Sequence, residues 1–312
     1  MADALPRTDG TPAVRTDRRS GARRTGADFR ASLFIVGGVY VAQTVLKFTL
    51  PLLALELSGA GTGLALIKGA GFVPNILFAV VVGVLNDRML KARAFRGYAL
   101  TLAVTTALLF GAIASGAVSL PALALFVIVL NGVTYAIGNA QMGLIRLSVA
   151  DDQLSDATAA TATVRSVITT AGPAIAGFAL LHLGHAGVAA ACALVLALAA
   201  GASLFLRPDE VLPPPKPFRA SLAEGWCVLR ANRELVAMTI VIVLTNAAEG
   251  AFATALILKL KLVEGADAFE IGVVLAAAGV GAVIASRIAA PLRRRLGRRT
   301  AFFWPTLGLA LL

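Results

Sequence analysis

Residues 83–93 read Gly-Val-Leu-Asn-Asp-Arg-Met-Leu-Lys-Ala-Arg and form a short charged segment between two long apolar runs. The first run ends at Leu85, and the second begins at Tyr98. Because the hydrocarbon core of a bilayer excludes charged groups, such a segment is typical of a tight turn at a membrane face. Asp87 stands where its carboxylate can cap the next helix and meet the positive end of the helix dipole. The stretch therefore predicts two membrane-spanning helices that are joined at one membrane surface.

The chain as a whole is strongly apolar, since 58% of its 312 residues are hydrophobic and 14% are charged. A soluble globule has too little interior for so much apolar surface. Apolar runs close to the ~20 residues that a membrane helix requires recur along the sequence. The predicted spans cover residues 31–55, 63–85, 97–115, 120–143, 157–181, 186–206, 234–257 and 269–290, and a ninth begins at Ala301 and is cut off at Leu312. The sequence predicts an all-α membrane protein with eight complete transmembrane helices and a truncated ninth.

The basic residues are distributed unevenly between the two sides of this predicted topology. Of the 28 Lys and Arg residues, 23 lie in the N-terminal tail or in alternate loops, and the intervening loops carry only Lys259 and Lys261. Since positive charge collects on the cytoplasmic side, the N-terminus and the charged loops are predicted to be cytoplasmic, in a multi-pass protein of the cell membrane. The net charge of +11 then faces the anionic lipids of the inner leaflet, and no nucleic-acid partner is expected.

Composition divides the chain into four regions. Residues 1–30 are basic and polar and are predicted to form a disordered cytoplasmic tail. Residues 31–206 carry six spans, and the proline-rich segment 207–233 follows as a cytoplasmic linker. Residues 234–312 are predicted to form an incomplete C-terminal bundle that repeats the first half at an offset of 206 residues. Internal repeats are expected in transporters that rock two half-bundles about a central site.

The loop between the second and third spans resembles the signature loop of the major facilitator superfamily of secondary transporters. It has Gly83 followed by Asp87 and Arg88, and the basic residues Lys91 and Arg93 come next. The resemblance implies that these residues form a gating-loop motif, although an ordinary cytoplasmic loop would carry similar charges. It also implies a helical bundle of the major facilitator type and a transporter rather than an enzyme.

Two further features are similar to exporters of this superfamily. The first is a series of residues that leads into the signature loop and looks like the branch that holds macrolide and siderophore exporters. The series consists of Leu50-Pro-Leu52, Ser58-Gly59 and Pro74-Asn75. In the fifth span, Gly172, Pro173 and Gly177 resemble the Gly-Pro…Gly motif of the antiporter branch. The two glycines would let a neighbouring helix pack closely, and the proline would bend the helix. Generic helix packing would explain these three residues equally well.

Ionisable residues within the predicted spans point to function, because a charge in a bilayer is costly. Lys47 lies in the first span and Glu249 at similar depth in the seventh, and the resemblance implies that both spans line a central cavity. In the repeat alignment Glu249 corresponds to Gln43, one helical turn from Lys47. We expect Lys47 and Glu249 to face the cavity and to form an ion pair that a proton or the substrate breaks. Glu249 would then carry the coupling proton.

Other polar residues within the spans each have two interpretations. Arg165 could bind an anionic group, or it could reach Asp156 or the cytoplasmic headgroups. Lys68 is close enough to the outer end of its span for its ammonium group to extend to the interface. Three asparagines could contact a ligand or join helices by hydrogen bonds, and these are Asn75, Asn131 and Asn246.

The sequence contains no pattern that indicates a cofactor, a metal centre or a catalytic cluster. His182 and His185 lack a third ligand for zinc, and Cys192 and Cys227 lack a metal-ligand spacing. A nucleotide-binding loop is also absent, so an ion gradient has to drive any transport. We therefore expect a proton-coupled transporter that exports a small amphipathic compound, such as a drug, a siderophore or a secondary metabolite. The alternative is a non-transporting, truncated membrane protein or scaffold that needs a partner.

Overall fold

The computed structural model describes residues 18–77, 82, 86, 89–149, 153–205, 226–227, 230–281 and 283–284. Within these residues every regular element is a helix. The helices are, in chain order, α1 (Arg18–Ser58), α2 (Gly61–Leu77), α3 (Lys91–Ala114), α4 (Leu120–Ser148), α5 (Leu154–Ser203), α6 (Arg233–Leu258) and α7 (Ala268–Gly281). A π-helical turn, Lys259–Val263, extends α6. The prediction of an all-α fold is confirmed.

Five of these helices are long and apolar enough to cross a bilayer. They are α1 from Ala31 onwards, α3, α4, α5, and α6 with its π-helical turn. In the described residues α7 is a shorter apolar helix, and α2 has 17 residues. Such lengths and compositions are those of a multi-pass membrane protein.

Helix α5 folds back on itself at Gly184. Its 50 residues would measure about 75 Å if they were straight, far more than the ~30 Å hydrocarbon core of a bilayer. Gly184 has φ 64° and ψ 178°, a conformation that favours glycine. A Cβ atom built on Gly37 of α1 would lie 3.8 Å from Val164 in the first arm of α5. One built on the adjacent Gly38 would lie 3.4 Å from Val195 in the second arm, so both arms run beside α1.

Helix α1 begins inside the segment for which the sequence predicts disorder. The predicted tail covers residues 1–30, whereas the helix begins at Arg18. Arg and Ala recur through residues 18–31 and are strong helix formers, and the apolar helix that follows removes the cost of nucleation. The prediction of a disordered tail is therefore corrected for residues 18–30, and residues 1–17 lie outside the described part of the chain.

Helix α3 also begins before its predicted span, at Lys91. Lys91 and Arg93 therefore lie in its first turn and not in a loop, because Lys, Ala and Arg all favour helix. The N-cap residue is Leu90, which makes no side-chain cap hydrogen bond. Asp87 lies outside the described residues, so the capping by its carboxylate stays a prediction.

The core lies where α1 packs against the other helices of the first half. Helix α1 contacts α2, α4 and α5, while α3 contacts α4 and α5. The largest fully buried side chains are Phe95, Ile35, Leu64, Ile67, Leu102, Leu109, Leu123, Leu144, Ile145, Leu196 and Ile257. Other large apolar side chains face outwards, and Phe34 is 72% exposed. An apolar exterior around an apolar core suits a protein whose solvent is lipid.

Asn86 is hydrogen-bonded to two helices at the end of the bundle where α3 begins. Its side chain is buried, and its Nδ2 donates a hydrogen bond of 3.1 Å to the carbonyl oxygen of Ala136 in α4. The Tyr98 hydroxyl of α3 donates to Asn86 Oδ1 at 2.8 Å, and the Lys91 ammonium group donates to the Asn86 carbonyl oxygen. Since buried polar groups need partners, this network ties the residue beside the charged loop to α3 and α4.

Replacing Tyr98 by Phe is expected to lower the stability of the protein by about 1–3 kcal/mol, because the buried Oδ1 of Asn86 loses its donor. The Tm of the purified protein in detergent measures the change. Tyr135→Phe is the matched control, since within the described residues the structure records no hydrogen bond of the Tyr135 hydroxyl. Equal Tm values for the Tyr98→Phe variant and the wild type would contradict the proposed role of the network.

Candidate functional site

Two adjoining cavities lie among α1, α2, α4, α5 and α6. The small lobe has a volume of about 540 Å³, and the large lobe has a volume of about 980 Å³. The small lobe reaches Pro51 and Ile67, towards the end of the bundle where α1 ends and α2 begins. The large lobe reaches Met142 and Thr158, towards the end where α4 ends and α5 begins. Together the lobes extend along the helices through the bundle.

Polar side chains collect where the two lobes meet. The residues that line both lobes are Gln43, Lys47, Lys68, Asn131, Thr134, Arg165 and Asn246. Three of them are cations, and these come from α1, α2 and α5. Glu249 of α6 lines the small lobe. Ionisable groups inside a membrane bundle usually face its interior and mark a functional site, so we call this set of residues with Glu249 the polar junction.

Several contacts hold the polar junction in place. The guanidinium carbon of Arg165 lies 5.5 Å from the ring centroid of Tyr40, which is a cation–π contact between α5 and α1. Gln43 is buried, and its Nε2 donates a hydrogen bond to the Thr134 hydroxyl, which links α1 to α4. Asn131 Nδ2 donates to a carbonyl oxygen one turn back in α4, at 2.9 Å. These contacts orient the amide and guanidinium groups that face the cavity.

Lys47 and Glu249 both line the small lobe, but they do not form the predicted ion pair. In the part of the chain that the structure describes, the ion pairs within 4.0 Å are His185–Glu56 and Lys259–Glu264. The cavity lies between α1 and α6, which separates the two side chains. Gln43, the repeat counterpart of Glu249, lines the same lobe, so the two halves of the chain place equivalent positions at one cavity.

Lys68 and Thr134 belong to the polar junction, although neither was selected as a cavity residue from the sequence. The sequence predicts that the Lys68 ammonium group extends to the membrane interface, whereas the structure places Lys68 in the lining of both lobes. It lies within electrostatic range of Lys47 and Glu249. Gly71 and Phe72 also line the small lobe. They follow Lys68 by three and four residues, a spacing that places all three residues on one face of α2 and could have predicted the position of Lys68.

Gly172, Pro173 and Gly177 lie where α5 crosses two other helices. A Cβ atom built on Gly177 would lie 2.2 Å from the backbone oxygen of Ala268, at the start of α7. One built on Gly172 would lie 2.4 Å from Thr44 Cγ2 in α1. Pro173 lines the large lobe. The backbones of α5 and α7 therefore touch at Gly177, at a distance that no larger residue permits.

Some predicted site residues fall outside the residues that the structure describes. These are Gly83, Asp87 and Arg88 of the gating-loop motif, and the side chain of Asn75. The gating loop therefore stays a prediction. Among the described residues, no group of three or more His, Cys, Asp or Glu side chains could hold a metal ion.

Comparison with protein families places this bundle among known proteins. A family model described as Major Facilitator Superfamily matches residues 32–312. The chain belongs to the Major Facilitator Superfamily. The match covers all of α2 to α7 and most of α1, and it confirms the family resemblance of the loop at residues 83–93. This superfamily consists of transporters and not of enzymes.

Two solved structures are similar to this Major Facilitator Superfamily chain. One is the inward-facing, unoccupied crystal structure of a bacterial homologue of the human lysosomal transporter Spinster, with a TM-score of 0.65 and 12% identity. The other is the POT family transporter PepTSo, with a TM-score of 0.48 and 18% identity, where the match covers 83% of this chain and 52% of that one. The match to the Spinster homologue covers 88% of this chain and 63% of the homologue's own length, and it shows the fold alone. A comparison with curated protein sequences finds no match.

Proposed function

We propose that this chain acts as a secondary active transporter that exports a small amphipathic compound in exchange for protons. The observation that carries the proposal is the polar junction, which lies inside an apolar helical bundle of the Major Facilitator Superfamily. Its amides and charges offer hydrogen bonds and ion pairs to a polar group. The adjoining walls are apolar, with Leu46, Ile67 and Leu130 among them, and suit a hydrocarbon body.

The topology that we propose has eight complete transmembrane helices and a ninth that begins near Ala301. Residues 31–206 form the first bundle, residues 207–233 link it to the second, and the second begins at residue 234. The bias of Lys and Arg towards alternate loops supports a cytoplasmic N-terminus in the cytoplasmic membrane. In this orientation the large lobe faces the cytoplasm, and the small lobe lies nearer the outer surface.

The direction of transport that we propose is export. The series from Leu50 to Asn75 supports membership of the branch that includes macrolide and siderophore exporters. The Gly172-Pro173…Gly177 motif supports an antiporter through its resemblance to the motif of the antiporter branch. In the structure it also lies where the backbones of α5 and α7 meet. Drugs, siderophores and secondary metabolites are the compounds that we consider first.

Glu249 is the proton carrier in this proposal. Among the described residues that line the two lobes, it is the one residue with a carboxylate group. Protonation would remove its attraction for Lys68 and change the charge of the small lobe, which biases the equilibrium between two states of the bundle. Asn246, one turn earlier in α6, and Gln43 of α1 would supply hydrogen bonds to the bound compound.

Flux through proteoliposomes tests the proposed function. The purified chain is reconstituted, a pH gradient is imposed, and the movement of a panel of amphipathic dyes and siderophores is followed against protein-free vesicles. We expect movement of at least one compound that collapses when the gradient is dissipated. Gradient-independent leakage at the protein-free rate for every compound would instead favour a membrane protein that does not transport on its own.

A further inference from the structure

The cations of the polar junction outnumber its carboxylates. Lys47, Lys68 and Arg165 come from three different helices and line both lobes, whereas Glu249 lines only the small lobe. Lys47 is within electrostatic range of Arg165, and Lys68 is within range of Lys47 and Glu249. One carboxylate cannot neutralise three cations, so the junction carries a positive charge that the described residues leave uncompensated.

Among the described residues, none of these three cationic groups has a hydrogen-bond or ion-pair partner. The structure records no hydrogen bond and no ion pair within 4.0 Å for the ammonium groups of Lys47 and Lys68 or for the guanidinium group of Arg165. The face of Tyr40 is the one contact recorded for the Arg165 guanidinium in this part of the chain, and it satisfies none of that group's N–H donors. Like charges that face one cavity repel one another, and an anion bound between them relieves that repulsion.

We propose that the cavity takes a soluble organic anion, whose carboxylate or phosphate group binds at the polar junction between Lys47, Lys68 and Arg165. The inference rests on the proposed function, because it names the chemical class of the transported compound. A planar guanidinium binds a carboxylate or a phosphate through two parallel hydrogen bonds, and a lysine adds a point charge beside it. The hydrocarbon body of the anion would then lie on the apolar wall of the small lobe, against Leu46 and Leu130.

Two dyes with the same aromatic scaffold and opposite charge test this inference. Fluorescein is an anion at neutral pH and rhodamine 6G is a cation, and their anisotropy reports binding to the purified chain in detergent. We expect saturable binding of fluorescein and no saturable binding of rhodamine 6G. Removing one cation by Lys47→Gln, Lys68→Gln or Arg165→Gln should weaken fluorescein binding about tenfold or more, which is the effect of losing one charge-assisted contact.

Conservative variants separate loss of charge from loss of fold. Lys47→Arg and Lys68→Arg keep the charge and should keep most of the affinity, and Lys261→Gln, outside both lobes, should keep all of it. Arg165→Lys keeps the charge but loses the paired N–H donors, so its affinity should lie between those of the wild type and Arg165→Gln. Equal binding of both dyes, binding of neither, or unchanged affinity in the three Gln variants would overturn the inference. So would displacement of fluorescein by micellar phosphatidylglycerol but not by soluble 2-naphthoate, because the cations would then bind lipid headgroups.

This binding assay is independent of transport. If the chain binds fluorescein through these cations but moves no compound across a membrane, the proposed function fails and the inference stands. If it exports rhodamine 6G and not fluorescein, the proposed function stands and the inference fails.

Discussion

Replacing Glu249 by Gln is expected to abolish pH-driven flux through the protein. The amide keeps the shape of the side chain and its hydrogen-bonding capacity, but it cannot take up or release a proton in the physiological range. Glu249 carries the one carboxylate among the described residues that line the two lobes, so no second described carboxylate there could replace it. The measurement is the initial rate of dye movement in proteoliposomes with an imposed pH gradient, which should fall to the protein-free rate.

A second readout shows whether this loss concerns coupling or folding. Exchange of labelled for unlabelled compound at equal pH needs binding and movement of the bundle but no net proton transfer, so the Glu249→Gln variant should retain it. Glu264→Gln is the matched control, since Glu264 is exposed and pairs with Lys259 at 3.6 Å outside both lobes. Normal pH-driven flux in the Glu249→Gln variant would remove this residue from the coupling mechanism.

Replacing Gly177 by Ala is expected to separate α5 from α7 and to destabilise the protein by roughly 1–3 kcal/mol, the usual cost of overpacking a close contact. The added Cβ would lie 2.2 Å from the Ala268 carbonyl oxygen, and backbone cannot rotate away as a side chain can. A second contact between the same two helices is similarly close, because a Cβ atom built on Gly272 of α7 would lie 2.4 Å from the Pro173 carbonyl oxygen of α5. The Tm in detergent should therefore fall clearly.

The same substitution elsewhere in α5 provides the control. Gly201 lies in the second arm, and a Cβ built there meets no atom within 4 Å, so Gly201→Ala should leave the Tm unchanged or raise it slightly. Gly172→Ala should have an intermediate effect, because its close neighbour is the Thr44 side chain, which can move. If Gly177→Ala and Gly201→Ala had the same Tm, the α5–α7 contact would not contribute to stability.

The helical fold could be predicted from the sequence because lipid imposes a length and a composition on every span. Apolar runs of about 20 residues located the helices. Their ends were less predictable. Residues 18–30 are polar but still helical, and α3 begins at Lys91, since the helix formers Ala, Lys and Arg continue a helix beyond its apolar core. The predicted break between the fifth and sixth spans falls at Gly184, whose backbone conformation favours glycine.

The composition of the site was less predictable than the fold. The rarity of charges in membrane helices selected Lys47, Arg165 and Glu249 as candidates, and all three line the cavity. Lys68 was assigned to the interface because its distance from the helix end allowed it, and depth alone does not tell which face of an apolar helix meets the cavity. The absence of a Lys47–Glu249 ion pair also lay beyond sequence reasoning, because the separation of α1 and α6 is a property of the folded bundle.

We propose that the polar junction lies on the transport path, and substituted-cysteine labelling tests this placement most directly. In a Cys227→Ser background, where Cys192 is buried, Asn246→Cys places a thiol in the cavity and Leu244→Cys places one on an exposed apolar face of the same helix. We predict that a membrane-impermeant thiol reagent labels Asn246→Cys and blocks flux, and that the transported compound slows this labelling. Labelling of Asn246→Cys no faster than of Leu244→Cys, with flux unaffected, would contradict the account.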